Sequence, residues 1–200
     1  GVKSLVAEAW ANVLASGDPR GASMRARLDG FSHAHAAWLE RDALFDALAR
    51  MHASMRPADW ASAGADPLDA HLFSPGQPAS DAARRERRDA VARASEVSRR
   101  VYAFTQMIAH AEHARVRERA RACGLELYAD MQVGFAPADA WSYEAAFLPG
   151  YYLGAPPSRT NPEGQPWHYP VLDPTRFGDR ANPGPVLDLV RRRVEKVFSE

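Results

Sequence analysis

The chain has 200 residues, 46% of them hydrophobic, and its 25 basic and 25 acidic side chains balance to a formal net charge of +0. That balance gives no bulk attraction to nucleic acid or to an anionic membrane, and the apolar runs fall well short of the roughly 20 residues of a membrane span. The one cysteine, Cys123, cannot form an internal disulfide, and Gly1 to Leu14 carry no signal-peptide core, so the sequence reads as a cytoplasmic chain.

In chain order, Lys3 to Ala15 places Leu5, Val6, Ala9, Trp10, Val13 and Leu14 on one helical face. Ser16 to Gly21, SGDPRG, reads as a turn. A second helix is predicted from about Ser32 to Met55, with Trp38, Leu44, Leu48, Met51 and Met55 on or near one face. Prolines and glycines between Arg56 and Ser80 make that stretch irregular. Asp81 is placed to cap a long third helix that meets neither proline nor glycine before about Ala122, and Gly124 ends it. The next segment, LELYADMQV from Leu125 to Val133, is short and apolar and reads as a buried strand. From Gly154 to Pro174, GAPPSRTNPEGQPWHYPVLDP, six prolines predict a stiff loop. Pro185 opens a last helix with the stripe Val186, Leu189, Val190, Val194 and Val197.

Several side chains invite a chemical reading. The arginine run from Arg84 to Arg100 is interleaved with Glu86, Asp89 and Glu96, and is expected to form a solvated helix face with local ion pairs. His110, Glu112 and His113 do not have the spacing of a zinc-peptidase motif, His33 and His35 fall on different helix faces, and no metal site is expected. Cys123 has no histidine or asparagine partner nearby in sequence. Asp130, toward the end of the predicted strand, either caps the next loop or makes a polar contact to a ligand. Trp167 is either a local core plug or a platform on which the apolar face of a sugar stacks.

The run Cys123-Gly124-Leu125-Glu126-Leu127-Tyr128-Ala129-Asp130-Met131 resembles a strand of the amylomaltases, the bacterial 4-α-glucanotransferases, which reads roughly G-I-x-L-I-G-D-L/M-P. Asp139-Ala140-Trp141 is similar to that family's D-V-W. Gly154-Ala155-Pro156-Pro157 and Gly164-Gln165-Pro166-Trp167 with Pro170 resemble its G-V-P-P-D and G-Q-x-W-G-N-P segments. Upstream, Trp38-Leu39-Glu40, Ala43-Leu44-Phe45 and Ala47-Leu48 are similar to W-L-x-x-Y-A-L-F-x-A-L, and Tyr102, Phe104 and Gln106 fit the helix leading back to the strand. The order holds over roughly residues 30 to 198. Three departures stand out: Ser158 for an aspartate, His168-Tyr169 for Gly-Asn, and Gln132 for a proline.

The resemblance implies an α/β fold, a partial (β/α)8 TIM barrel, in three parts. Residues 1–29 form an N-terminal helix and turn, 30–122 a helical insertion subdomain, and 123–200 a barrel strand, a substrate loop and a helix. It implies retaining transfer of α-1,4-glucan segments between maltodextrins, with Asp130, Ser158, Gln165, Trp167 and Tyr169 as substrate-binding residues and no cofactor or metal. The family's nucleophile follows a helix like Val186 to Phe198, and its other two catalytic carboxyl groups lie later. The chain is therefore expected to be a central fragment holding no catalytic residue, completed by the remainder of a barrel. The alternative is a non-catalytic, mainly helical binding or scaffolding module.

Overall fold

The structure, a computed structural model, describes residues 2–60, 65–74, 79–128 and 130–199. The chain divides into two compact units, Gly1–Met51 with Asp89–Tyr128, and His52–Arg88 with Ala129–Glu200. The described residues are rich in helix and carry one two-stranded antiparallel sheet. None of their helices is long and apolar enough to cross a membrane.

The first unit is built on α1 (Val2–Ala15), α2 (Pro19–Ala34), α3 (Ala36–Met51), the end of α4 (Asp81–Ala94) and the 27-residue α5 (Glu96–Ala122). Trp10, Leu28, Leu39, Ala103, Phe104 and Met107 form its core, with the Trp10 and Phe104 rings 5.2 Å apart. The predicted turn at Ser16 to Gly21 is the start of a helix. The Asp18 carboxylate accepts the Gly21 N–H at 2.7 Å, and Pro19, whose missing N–H costs nothing there, opens α2.

The two long helices expected from the sequence are each divided. The first breaks at His35, whose Nδ1 accepts the Trp38 indole N–H at 3.3 Å, while its ring packs against Phe31 and His110. It also stops at Met51, and Ala53 turns into the left-handed region at φ 51°. The second breaks at Ser95, whose hydroxyl donates to the Val91 carbonyl at 2.6 Å; such back-bonding competes with the helical ladder and bends it. The start of α4 is capped by Ser80, one residue before Asp81, with the Ser80 hydroxyl accepting the Ala83 N–H at 3.2 Å.

The second unit holds α6 (Pro137–Ser142), β1 (Phe147–Ala155), β2 (Gln165–Leu172), α7 (Pro185–Ser199) and the first half of α4. The expected solvated arginine face is corrected in part: Arg85, Arg93 and Arg100 are exposed, whereas Arg84, Arg87 and Arg88 are not. Arg84 is 3% exposed, donates to the Ala79 carbonyl at 2.7 Å and pairs with Asp81. Arg88 donates to the Leu72 carbonyl and lies 5.1 Å over the Phe73 ring. Arg87 forms a two-pronged pair with Asp69, at 2.8 and 3.0 Å. Asp69 is 0% exposed, and a buried carboxylate needs such partners because burial strips its hydration. His52 Nε2 supplies a third contact at 2.9 Å, and the Asp69 backbone carbonyl accepts the Trp141 indole N–H at 2.8 Å.

The predicted strand from Leu125 to Val133 is also corrected. Leu125–Tyr128 and Asp130–Val133 form neither helix nor strand, and Tyr128 is 88% exposed. A strand is held by ladder bonds to a neighbour, and among the described residues the one sheet pairs β1 with β2. The end of this segment is tied down by α7 instead. Arg193 donates to the Gln132 and Gly134 carbonyls at 2.6 and 2.9 Å, and its guanidinium lies 4.5 Å over the Phe135 ring.

Removing the Arg87 charge leaves the Asp69 carboxylate buried with His52 alone. Arg87→Met is expected to destabilise the second unit by about 3 kcal/mol in urea unfolding, and Arg87→Met with Asp69→Asn by clearly less than the sum of the two single changes. Additive losses would show that the pair carries no coupling.

Candidate functional site

The region from Gly154 to Pro174, expected as a loop, is the greater part of a hairpin. β1 and β2 pair antiparallel, with Phe147 opposite Leu172, Tyr152 opposite Pro170, Leu153 opposite Tyr169, Gly154 opposite Pro166 and Ala155 opposite Gln165. Pro166 and Pro170 are tolerated because in a two-stranded sheet each strand has a free edge, so a missing N–H need not break a ladder bond. Gly154 is required by close approach: a Cβ there would stand 2.7 Å from the Gln165 carbonyl oxygen.

The register breaks at Trp167 and His168. From Leu153 to Gly154 β1 advances by one residue, while β2 goes from Tyr169 back to Pro166, leaving Trp167 and His168 outside the pairing. This is a bulge, which twists a strand locally and re-aims its side chains. His168 carries it at φ 57°, a left-handed conformation that costs an L-residue about 1–2 kcal/mol. The resemblance puts a glycine at this position, and glycine adopts that conformation at no such cost. The His168 ring meets the Tyr152 ring edge-on across the hairpin, at 6.3 Å between centroids and 65°.

Three of the sequence-predicted binding residues, Gln165, Trp167 and Tyr169, therefore lie on β2 rather than on a loop. Trp167 is 47% exposed and belongs to neither core cluster described, so it is not a core plug. Tyr169 lies against the Gly134 backbone, where a Cβ would come within 2.7 Å of its ring. Ser158 sits in the tip between the strands. Its hydroxyl accepts the Asn161 N–H at 3.1 Å and lies 3.3 Å from the Thr160 hydroxyl, so it organises the turn. Asp130 is exposed, and among the described residues no hydrogen bond or ion pair joins it to the other four.

Sequence reasoning passed over Tyr151 and Tyr152, and named His168 only as a departure from the family pattern. Tyr151 and Tyr152 are as exposed as Trp167 or more so, and the run Gly150-Tyr151-Tyr152-Leu153-Gly154 was the available signal: two aromatics framed by glycines just before the prolines. Arg56, held by Asp59 at 2.9 and 3.0 Å, lies close enough to Tyr152 to interact with it electrostatically. Rings, an amide and hydroxyls on one hairpin can stack on the apolar face of a ligand and hydrogen-bond its edge. Among the described residues no group of three or more His, Cys, Asp or Glu could hold a metal ion.

The hairpin is anchored at its base. Phe147 packs with Phe135, Ala146, Val186 and Leu189 of α7. The Asp173 N–H donates to the Ala146 carbonyl at 2.9 Å, and its carboxylate accepts the Thr175 hydroxyl and N–H at 2.7 and 2.9 Å. Those two Thr175 bonds, the hydroxyl's first and the N–H second, with Arg176 adding to them, hold the Asp173 carboxyl below its ordinary value.

Residues 3–181 match the family model for 4-alpha-glucanotransferase, glycoside hydrolase family 77, whose members are enzymes acting on α-glucans. The chain belongs to this family. No curated protein matches the chain.

The depressed Asp173 carboxyl gives a pH dependence whose sign is fixed. Its stabilisation is present above the unfolded value, about 3.9, and is lost as pH falls through the lower folded value. Amide exchange of Thr175 is expected to accelerate below about pH 4 relative to its intrinsic rate, and Asp173→Asn to abolish that acceleration.

Proposed function

We propose that this chain supplies the glucan-binding part of a 4-α-glucanotransferase, with the exposed face of the β1–β2 hairpin lying along an α-1,4-linked maltodextrin. The observation that carries this reading is the indole of Trp167, half-exposed on a bulged strand within a chain of an α-glucan-acting family. Trp167 would stack on a pyranose ring, while Gln165, Tyr169 and Ser158 take sugar hydroxyls around it. Asp130 joins them on the strength of the family resemblance alone, as a carboxylate that hydrogen-bonds a sugar hydroxyl. The surrounding architecture would be a (β/α)8 barrel to which the described residues contribute.

The chemistry proposed for the whole enzyme is a retaining double displacement, which needs two carboxyl groups about 5 Å apart on either side of the glycosidic bond. In this reading those carboxyl groups belong to family segments other than the ones matched here, and this chain binds and orients. Holding the glucan on a paired hairpin limits the entropy lost on binding compared with a mobile loop.

Two experiments test the proposal. In titrations of the chain with maltoheptaose, Trp167→Ala is expected to weaken binding about tenfold, the loss of roughly 1–1.5 kcal/mol of aromatic stacking, with the melting temperature unchanged. In the catalytically complete enzyme, Asp130→Asn is expected to lower turnover more than stability. A fall in melting temperature with unchanged binding and turnover per folded molecule would make both residues structural.

The 200-residue chain alone is also expected to leave maltotriose intact. Products above a buffer blank, by chromatography, would place the reacting carboxyl groups inside it.

A further inference from the structure

The feature that the glucan-binding reading leaves unused is the strained histidine beside the platform. His168 occupies a left-handed backbone conformation at φ 57° within a bulge, and its ring is held edge-on to Tyr152 of the opposite strand at 6.3 Å. The rest of the hairpin does not require a side chain at this position. Glycine would hold the same backbone without strain, and a strained side-chain residue persists only where its surroundings over-determine it. The contact that does so here is with Tyr152, itself exposed and sitting opposite Pro170, beyond the bulge from the hairpin tip. Trp167 precedes His168 directly and shares the unpaired step of β2, so no cross-strand pairing holds the indole's residue in place, and the ring contact of its neighbour is the restraint on that step. On the tip side of the bulge the strands approach closely, since a Cβ at Gly154 would stand 2.7 Å from the Gln165 carbonyl oxygen.

We propose that His168, through its edge-on contact with Tyr152, is a positioning residue that fixes the attitude of the Trp167 indole for stacking on a glucose ring. This rests on the glucan-binding reading and adds residues to it that the family pattern of Gly-Asn cannot supply. An aromatic lock across the bulge converts a mobile indole into a platform of fixed orientation. Because the ring and not the backbone bond performs this, the role belongs to the side chain.

The substitution that separates this role from a structural one is His168→Gly. It relieves the backbone conformation while deleting the ring, so the melting temperature is expected to hold or rise. Maltoheptaose affinity of the full chain is expected to fall at least fivefold. Tyr152→Ala is expected to weaken binding similarly, and Tyr152→Phe, which keeps the ring, to bind as the parent does. His168→Gly with unchanged affinity, or Tyr152→Phe as damaging as Tyr152→Ala, overturns the proposal. The second measurement needs no sugar. The Trp167 indole N–H resonance, identified by its loss in Trp167→Phe, is expected to shift or broaden in His168→Gly and in Tyr152→Ala and to stay in place in Tyr152→Phe. An indole signal unmoved by His168→Gly overturns the positioning role even if the parent chain binds no maltoheptaose, whereas a moved signal with no binding by the parent chain supports positioning and instead removes the glucan assignment.

Discussion

The second unit is organised around one buried carboxylate. Asp69 has no exposed surface, and a charge in that position is tolerable only if its hydrogen-bonding capacity is filled. Arg87 fills it from α4, His52 from the residue just after α3, and the backbone carbonyl of Asp69 itself fixes Trp141 of α6. These residues lie 17, 18 and 72 positions from Asp69, so one group closes three loops at once. Around it the aromatic rings add contact without polar cost. Trp60 stacks on His52 at 5.3 Å and meets Trp141 edge-on at 6.0 Å, and Phe73 meets Trp141 at 4.9 Å. The described residues around Asp69 are thus held by side-chain contacts rather than by a ladder.

The hairpin depends on this centre through α6. Trp141 fixes that short helix, and the chain then runs through Ala146 into Phe147, where β1 begins against Phe135 and α7. Fixing the base in this way frees the distal part of the hairpin from any packing duty. Tyr151, Tyr152, Trp167 and Tyr169 are all substantially exposed there, although rings are the side chains that gain most from burial. These rings are distributed over both faces, since Tyr152 stands opposite Pro170 and Leu153 opposite Tyr169, and neighbouring strand residues alternate in direction.

What the sequence made legible was what local rules govern. The apolar stripes of α1 and α7 and the proline that opens α7 follow helical periodicity and capping, and the helices stand where those rules put them. The breaks at His35 and Ser95 were hidden because neither glycine nor proline marks them. One is made by a ring drawn into an aromatic cluster and the other by a hydroxyl bonding four residues back. The arginine run was read as solvated because nothing local announces that Asp69 lies buried beside it. The hairpin was read as a loop because prolines argue against a ladder, a rule that weakens when both strands are edges. The apolar run after Gly124 reads as a strand on its composition and on its resemblance to a family strand, but strand formation is a property of pairs, and the partner is not in the run itself. The motifs that carry the family resemblance were legible throughout, since a family match depends on residue order and not on the element each residue joins.

The contrast between Ser158 and Trp167 separates two ways in which a residue can depart from or keep a family pattern. Ser158, standing for an aspartate, has its hydroxyl engaged with Asn161 and Thr160 inside the turn, so part of its bonding capacity is already used by local structure. Trp167 keeps the family residue, with no hydrogen bond or ring contact among the described residues, and stays 47% exposed. Between them, Gly164 in the left-handed region and Gly154 in close approach fix the path from tip to bulge. In the glucan-binding reading, a tip bonded within itself and an indole outside the strand pairing make ring orientation, rather than the number of polar groups, the quantity on which binding would depend. For that reason the residue next to the indole matters more here than the substitution at the tip.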